Sequence, residues 1–312
     1  MSYQETELAI IGAGIAGVSA AIYAKRSGLD FLLFEGNIVG GQLFLMEKID
    51  NYIGLGLGVK GKELADGLKK TLTDLGINTT NAHINEIQII NEKQIMLKTK
   101  DQDFISQGAI IATGATFRKL GIRGEDIFSG RGVSYCAVCD GFFFKGKEIA
   151  VVGGGNTAVE DALYLSNIAK KVTLIHRRDE LRAMDYLKEE LYNKKNIEIV
   201  FNTVVKELQG NEALETVLLE NTQNKKNTSL AVKGLFIAVG ISPNKNLYDG
   251  VLTTDEKGFI ITNEHLRTSS SIIWAAGDCR MRPLKQLITA ASEGAIASIS
   301  AYKQLKNSYL SV

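Results

Sequence analysis

Cys136 and Cys139 are separated by two residues, and Asp140 follows the second cysteine directly. A Cys-x-x-Cys pair can store two electrons by cycling between a disulfide and a dithiol, and such pairs often contain a thiolate of lowered pKa. A structural zinc site needs four ligands, and the third cysteine and the histidines are scattered along the chain. The pattern therefore favours redox chemistry and predicts no metal site, with two buried inert thiols as the alternative.

The carboxyl group of Asp140 has two interpretations. Beside a redox cysteine, a carboxyl of raised pKa could accept or donate the proton that thiol–disulfide exchange requires. Before Gly141, an aspartate could equally form an Asx turn or cap a helix. The sequence leaves both open.

A first dinucleotide-binding pattern lies near the start of the chain. An apolar strand, Leu8–Ile11, runs into the glycine turn Gly12-x-Gly14-x-x-Gly17. A helix follows to about Ser27, with Gly28 as its predicted C-cap. A second apolar strand, Phe31–Phe34, then ends at the acid Glu35. Gly12 allows the tight turn, Gly14 lets backbone amides approach a pyrophosphate, and Gly17 permits close packing of the helix. Glu35 lies where a carboxylate accepts hydrogen bonds from a ribose. The context predicts a bound dinucleotide in preference to a plain turn.

A second pattern of the same kind begins at Gly153. It continues through Gly155, Ala158, a helix from Val159 and the strand Val172–Ile175. That strand ends in a basic cluster and not in an acid: His176, Arg177, Arg178 and, one turn later, Arg182. Guanidinium groups bind phosphate bidentately and stay charged. The cluster therefore indicates NADP over NAD, with a solvated basic turn as the alternative.

The overall composition is that of an ordinary globular protein, with 45% hydrophobic and 23% charged residues and a net charge of +1. This charge predicts no nucleic-acid or anionic membrane partner, and no apolar run is long enough to span a bilayer. Leu8 already begins a core strand, so the sequence predicts no signal peptide. Cys279, one of only 3 cysteines, is interpreted as a buried thiol. We therefore expect a cytoplasmic location.

Read in order, these segments resemble the low-molecular-weight thioredoxin reductases nearly from end to end. The resemblance rests on GAGIAG at the start, GGQL from Gly40, DNY from Asp50, ATGA from Ala112, CAVCD from Cys136, GGGNTA from Gly153, HRRDELRA from His176, GLFIAVG from Gly234 and AAGD from Ala275. It implies an α/β fold with two Rossmann-like, three-layer dinucleotide-binding domains. The implied FAD-binding domain is discontinuous, residues 1–116 and 246–312, and the NADPH-binding domain, 117–245, is inserted and carries the cysteine pair.

The resemblance also implies the residues that hold each cofactor. For FAD these are Gly12, Gly14, Ala16, Gly17, Glu35, Gly36, Gly41, Gln42, Asn51, Ile84, Thr113, Gly114, Gly277, Asp278, Gln286 and Leu287. For NADPH they are Gly153, Gly155, Asn156, Thr157, His176, Arg177, Arg178, Arg182 and Gly240.

In similar enzymes the second cysteine faces the flavin, the first attacks the protein substrate and the following aspartate is the acid–base group. The resemblance assigns these roles to Cys139, Cys136 and Asp140 in turn, with thioredoxin or a similar protein as the partner and a homodimer as the assembly. We expect electrons to pass from NADPH through FAD and the cysteine pair to a thioredoxin disulfide. The segments 114–120 and 240–246 are natural hinges for a domain rotation between the two half-reactions.

The chain departs from the common family pattern in two places. The stretch 44–48 replaces a threonine-rich segment, with Ile53 where relatives have proline, and Lys285 stands where they have arginine. These changes predict a more apolar flavin environment with one guanidinium fewer. They leave open a different electron donor, such as ferredoxin, and a peroxiredoxin or other thioredoxin-like acceptor. A non-catalytic flavin-binding sensor would not need both the cysteine pair with Asp140 and a second nucleotide site.

Overall fold

The structure, a computed structural model, describes residues 3–46 and 49–306. Glu47 and Lys48, part of the departing segment noted above, lie outside the described residues. Within the described ranges, no helix combines the length and apolar character that a membrane crossing requires.

Helices and strands alternate at the start of the chain and again over about residues 133–200, and runs of consecutive strands follow each of these stretches. The helices are α1 (Ile15–Arg26), α2 (Gly61–Asp74), α3 (Ala137–Asp140), α4 (Asn156–Ser166), α5 (Asp185–Tyr192) and α6 (Leu287–Leu305). The strands are β1 (Gln4–Ile11), β2 (Phe31–Phe34), β3 (Thr79–Thr80), β4 (Glu86–Asn91), β5 (Gln94–Lys98), β6 (Asp103–Ile111), β7 (Ala115–Phe117), β8 (Val133–Ser134), β9 (Glu148–Val152), β10 (Lys171–Ile175), β11 (Ile197–Val200), β12 (Thr203–Gly210), β13 (Leu214–Asn221), β14 (Asn227–Ala231), β15 (Gly234–Ile237), β16 (Ile241–Pro243) and β17 (Ile273–Ala275).

The chain divides into two compact units, Met1–Thr116 with Ser242–Val312, and Phe117–Ile241. We call them the discontinuous unit and the inserted unit. The strands β7 and β16, in the segments that join the units, pair with each other. The division of the two dinucleotides between these units stays a prediction.

The discontinuous unit is built on one sheet of order β3-β2-β1-β6-β5-β4. The strands β1, β2, β3 and β6 run parallel, and β17 joins β6 in parallel beyond the point where β5 ends. The second halves of the central strands, residues 8–11 of β1 and 109–111 of β6, are buried apolar runs because parallel strands are covered on both faces. The pair β4 and β5 forms an antiparallel extension at one edge.

Helices α1 and α6 pack against each other over one face of this sheet. A Cβ atom on Gly294 of α6 would lie 2.0 Å from the carbonyl oxygen of Ala16, so the two backbones are in direct contact there. Helix α1 ends at Arg26 with Ser27 as its C-cap, and Gly28 follows with φ of +70°. The predicted cap at Gly28 is therefore displaced by one residue, because the glycine takes the left-handed position after the cap.

The inserted unit has a parallel sheet of order β11-β10-β9-β15-β8. Helices α4 and α5 contribute to the core on one face. A separate antiparallel sheet, β12-β13-β14, contributes to the core on the other face. Both units are thus three-layer α/β structures around parallel strands, as expected for two Rossmann-like domains.

Candidate active site and dinucleotide sites

The cysteine pair forms a disulfide at the start of α3 in the inserted unit. Cys136 is the N-cap residue of this helix, and the amide of Cys139 donates a hydrogen bond to Cys136 Sγ at 3.2 Å. An amide aimed at a sulfur favours its ionised form once the disulfide is reduced. Across the described part of the chain, His, Cys, Asp and Glu residues form no cluster that could hold a metal ion. The geometry is that of a redox-active cysteine pair.

Asp140 ends α3 and is held from the neighbouring strand. Its Oδ2 accepts a hydrogen bond from Ser134 Oγ at 2.6 Å, and that hydroxyl also accepts the amide of Cys136 at 3.1 Å. Asp140 precedes a short 3-10 helix, Gly141–Phe144, but its side chain makes no capping hydrogen bond there. The carboxyl is therefore tied to the redox segment itself, and Ser134 is a site residue that the sequence reasoning missed.

Tyr135, which precedes Cys136, is fixed from two sides. Its hydroxyl donates to Glu125 at 2.8 Å, and its ring stacks on Phe117 at 5.4 Å between centroids. Glu125 is buried and also accepts the amides of Leu120 and Gly121. Burial and the nearby Glu125 carboxylate both raise the pKa of Tyr135. The segment that enters the cysteine pair is thus rigidly supported within the inserted unit.

Helix α4 packs against α3 and carries a half-buried acid, Asp161. A Cβ on Gly141, just after the redox segment, would lie 2.8 Å from Leu165 and 3.2 Å from Tyr164. Asp161 precedes both by about one turn on the same helix. Burial, with a further contribution from Glu160, raises the pKa of Asp161 to about 7. A carboxyl that titrates near neutrality therefore lies on the helix beneath the cysteine pair.

Cys279 is fully buried in the discontinuous unit, as predicted. Its thiol donates to the carbonyl of Ile111 at 3.3 Å. Burial, followed by the negative charge of Asp278, raises the pKa of Cys279 to about 12. The thiol therefore stays protonated and is a poor nucleophile.

The first glycine turn forms an open cradle at the N-terminus of α1. Gly12 has φ of +101°, and a Cβ on Gly17 would lie 1.8 Å from its carbonyl oxygen, so both positions exclude a side chain for internal reasons. Gly14 differs, because a Cβ there would meet no described atom within 4 Å and the helix has no side-chain cap. The open space in front of unpaired helix amides fits a pyrophosphate.

Glu35 lies beside this cradle at the end of β2. Its Oε2 accepts the amide of Ala13 at 2.8 Å, and Oε1 accepts the amide of Asn37 at 2.9 Å. The two bonds fix the carboxylate next to the glycine turn. Position 36 has no room for a side chain, because a Cβ on Gly36 would lie 2.9 Å from the His83 ring.

Several of the other residues predicted to bind FAD meet near the same turn. A Cβ on Gly41 would lie 3.8 Å from Gly14, and the side-chain amide of Gln42 donates to the carbonyl of Ala115 beside Gly114. Two predicted residues turn inward instead: the Ile84 side chain is in the core, and the Thr113 hydroxyl is buried without a hydrogen-bond partner among the described residues.

The N-terminus of α6 gathers the remaining predicted residues. Gln286 is the N-cap, its side-chain oxygen accepts the side-chain amide of Asn51 at 3.0 Å, and Leu287 begins the helix. Gly277 donates its amide to Glu293 at 2.8 Å. These contacts bring the 51, 277 and 286 segments together at one end of α6.

Charged side chains lie at this end of α6. Arg282 is only 3% exposed in its side chain and pairs with Asp278 at 3.0 Å and Glu293 at 2.8 Å, while Arg280 also pairs with Glu293. Lys285 Nζ donates to the carbonyls of Asp278 and Arg280. Burial raises the pKa of Asp278 and lowers that of Lys285. Two guanidinium groups from the 280–282 segment thus accompany the lysine that replaces the family arginine.

The second glycine turn repeats the cradle in the inserted unit. Gly155 is the N-cap of α4 without a side-chain cap, and a Cβ there would meet no described atom within 4 Å. Gly153 is packed against Ala158 and the carbonyl of Ala238, two residues before Gly240. Asn156 Oδ1 accepts the amide of Met184 at 3.0 Å, and the Thr157 side chain is exposed. The cradle again fits a pyrophosphate.

The basic cluster borders this second cradle. The amide of Arg182 donates to the carbonyl of Gly154 at 2.7 Å, and a Cβ on Gly154 would lie 2.1 Å from the His176 ring. Burial lowers the pKa of His176, whose Nε2 is 3.0 Å from the carbonyl of Glu180. The imidazole is therefore neutral at neutral pH and supports the loop. Its neighbours Arg177 and Arg178, like Arg182, are exposed and carry the charge.

Known proteins share both the sequence and the fold of this chain. The family described as pyridine nucleotide-disulphide oxidoreductase matches residues 6–294. A thioredoxin reductase of Listeria innocua is 39% identical over 302 residues, which cover 96% of this chain and 94% of the relative. The crystal structure of thioredoxin reductase from Streptococcus pyogenes is 40% identical with a TM-score of 0.93, over 98% of this chain and 100% of that one. A ferredoxin-flavin thioredoxin reductase of Clostridium acetobutylicum is 30% identical with a TM-score of 0.55, over 98% and 100%.

Proposed function

Because the chain belongs to the pyridine nucleotide-disulphide oxidoreductase family, we propose that it is an NADPH-dependent thioredoxin reductase. It is an oxidoreductase that uses FAD and NADPH. The observation that carries the proposal is the Cys136–Cys139 disulfide with a carboxyl group held beside it. When bound, NADPH and FAD supply the two-electron transfer that reduces this disulfide.

The two glycine cradles support the assignment of one cofactor to each unit. We assign the FAD pyrophosphate to the α1 cradle and the ribose to Glu35, with the remaining FAD residues at the positions that resemble the family. We assign the NADPH pyrophosphate to the α4 cradle at Gly155 and its 2′-phosphate to Arg177, Arg178 and Arg182. Asp278 and the α6 N-terminus complete the FAD site.

The cysteine pair and Asp140 carry out the exchange with thioredoxin. The Cys136 thiolate attacks the thioredoxin disulfide, one sulfur–sulfur bond forms, and the leaving thioredoxin sulfur takes a proton from Asp140. The Cys139 thiol then loses its proton to the ionised Asp140 and attacks Cys136, which re-forms the disulfide. The sulfur–sulfur bond between Cys136 and thioredoxin breaks, and the second thioredoxin sulfur leaves and takes the proton that Asp140 has just accepted. Two electrons and two protons thus reach thioredoxin.

A Gly14→Ala substitution tests the FAD cradle. The added methyl group meets no protein atom within 4 Å and the residue has an ordinary φ of −70°, so the chain should fold with at most about 1 kcal/mol lost at the cap. The methyl would occupy the pyrophosphate position, and overpacking of about 1–3 kcal/mol corresponds to a roughly tenfold to hundredfold weaker FAD affinity. Titration of FAD into the apoprotein measures it.

The control for this experiment is Gly67→Ala on the exposed face of α2. Its Cβ would also meet no atom within 4 Å, and alanine favours the helix interior, so FAD affinity should be unchanged and stability slightly higher. If Gly14→Ala bound FAD with wild-type affinity, the assignment of the FAD pyrophosphate to this cradle would be wrong.

Anaerobic titration with NADPH tests the proposed function directly. The purified protein should be yellow, one equivalent of NADPH per two-electron acceptor should bleach the flavin absorbance, and added oxidised thioredoxin should restore it. Flavin that responds to reduced ferredoxin but not to NADPH would favour the other donor, a possibility motivated by the ferredoxin-flavin relative. Re-oxidation of the flavin by a peroxiredoxin but not by thioredoxin would identify the peroxiredoxin as the electron acceptor. A cytoplasmic location and a homodimer are further parts of this proposal.

A further inference from the structure

One hydroxyl group connects the first redox cysteine to the carboxyl that follows the second. Ser134 ends β8 and its residue is only 4% exposed. Its Oγ lies 2.6 Å from Asp140 Oδ2, 3.1 Å from the Cys136 amide nitrogen and 3.4 Å from the Cys136 carbonyl oxygen. All three neighbours are polar atoms of the redox segment, so the hydroxyl does not serve general packing.

The hydrogen-bonding capacity of this hydroxyl accommodates both protonation states of Asp140. A serine hydroxyl donates one proton and accepts two, and the Cys136 amide occupies one accepting position in either state. When Asp140 is ionised, the serine proton must point to the carboxylate. When Asp140 is protonated, its O–H can donate to the second accepting position, and the serine proton can turn to the Cys136 carbonyl.

We propose that Ser134 is a positioning residue that holds Asp140 beside the cysteine pair in both states and sets the pH at which Asp140 exchanges its proton. This inference rests on the proposed function, in which Asp140 is the acid–base group. A hydrogen bond to an ionised carboxylate is roughly twice as strong as one between neutral groups. The hydroxyl therefore stabilises the ionised form of Asp140 more than the protonated form.

The pH dependence that arises from Asp140 must be distinguished from that of the other titratable groups around α3. Helix α4 carries Glu160, Asp161 and Tyr164, and the residue between β8 and Cys136 is Tyr135, whose raised pKa keeps it protonated. The 3-10 helix that follows, Gly141–Phe144, contains no titratable side chain. Among these groups Asp161 is an acid whose pKa burial raises to about 7, so its titration must be told apart from that of Asp140 by mutation.

The test is the pH profile of thioredoxin reduction by pre-reduced holoenzyme in single-turnover, anaerobic stopped flow. Asp140→Asn should remove one limb of the profile. Ser134→Ala should move that limb to higher pH by about one unit, because a hydrogen-bond donor to the ionised carboxylate is removed. In the Asp140→Asn background, where the limb is absent, adding Ser134→Ala should leave the remaining pH profile unchanged.

Three comparisons make the result specific. Ser134→Thr keeps the hydroxyl and should keep the limb in place. Ser134→Val introduces a side chain of the same shape as threonine without the hydroxyl, and it should shift the limb as Ser134→Ala does. The valine variant also provides the test if Ser134→Ala folds poorly. Ser166→Ala removes another buried hydroxyl of the inserted unit, one that donates to Leu163 at 2.7 Å, and should leave the profile unchanged. Asp161→Asn should leave the limb in place.

Each contrary outcome bears on a different residue. A limb that vanishes in Asp140→Asn but does not move in Ser134→Ala or Ser134→Val overturns the role of Ser134 and leaves the proposed function intact. A limb that persists in Asp140→Asn contradicts the acid–base role of Asp140 and with it the inference about Ser134, whereas the thioredoxin reductase proposal is tested separately by the NADPH titration. A limb that disappears in Asp161→Asn assigns the titration to Asp161 of α4 and also overturns the inference about Ser134.

Discussion

The Cys139→Ser variant should bind FAD and accept electrons from NADPH, yet lose thioredoxin reduction by roughly three orders of magnitude or more, the scale on which removal of an essential nucleophile acts. The reason is that Cys136 alone cannot re-form the Cys136–Cys139 disulfide, so no second sulfur is present to release thioredoxin. Flavin bleaching by NADPH and the rate of thioredoxin reduction are measured on the same preparation. Normal thioredoxin turnover would contradict the relay through the cysteine pair.

The two single serine variants should differ from each other in a way that assigns the roles. Cys139→Ser keeps the proposed nucleophile Cys136, so it should form a stable mixed disulfide with thioredoxin, which is detectable by mass. Cys136→Ser keeps only the sulfur that faces the flavin in similar enzymes, and it should trap far less. The reverse result would exchange the roles of the two cysteines.

Cys279→Ala is the matched control for these variants. The Cys279 thiol is fully buried, and burial raises its pKa to about 12, so it contributes no thiolate at neutral pH. Removing it should leave thioredoxin turnover near the wild-type value and cost only stability, through the small cavity. A large loss of turnover with FAD still bound would show that this cysteine also takes part in the exchange.

The glycine turns could be predicted from the sequence because their geometry is local. A positive φ at Gly12 and the 1.8 Å approach of a Cβ on Gly17 to the Gly12 carbonyl involve residues within five positions of each other. The strand before each turn and the helix after it follow from the same short segments. This is why β1, α1, β9 and α4 appear where the apolar runs and glycines indicate.

Interactions that depend on folding over longer distances were not predictable in the same way. The burial of Arg282 between Asp278 and Glu293 requires the 278–282 segment to fold against α6, and no short pattern announces it. The antiparallel strands β12 and β13 alternate in burial only in part, and β14 is mostly exposed, so no clear period marks this sheet in the sequence. Ser134 is closer in sequence to Asp140, but a lone serine before an aromatic residue carries no distinctive signal.

The largest expected change in cofactor preference comes from Arg177→Ala combined with Arg178→Ala. Both side chains are exposed beside the α4 cradle, where the sequence pattern has no ribose-binding acid. A hydrogen bond to a charged group contributes about 1.5–3 kcal/mol, so each hydrogen bond to the 2′-phosphate that the variant cannot make should raise the KM for NADPH by roughly tenfold to a hundredfold. The KM for NADH, which has no such phosphate, should change little.

Steady-state kinetics with both nucleotides over a range of salt concentration separates this site from a general electrostatic effect. Arg123→Ala removes another exposed guanidinium of the inserted unit, one that pairs with Glu207 at 3.6 Å, and should leave the ratio of the two KM values unchanged. Lysine at positions 177 and 178 should restore part of the preference, since the charge returns without the bidentate geometry. Equal losses for NADPH and NADH in the double alanine variant would exclude the phosphate site, because only an interaction with the 2′-phosphate can distinguish the two nucleotides.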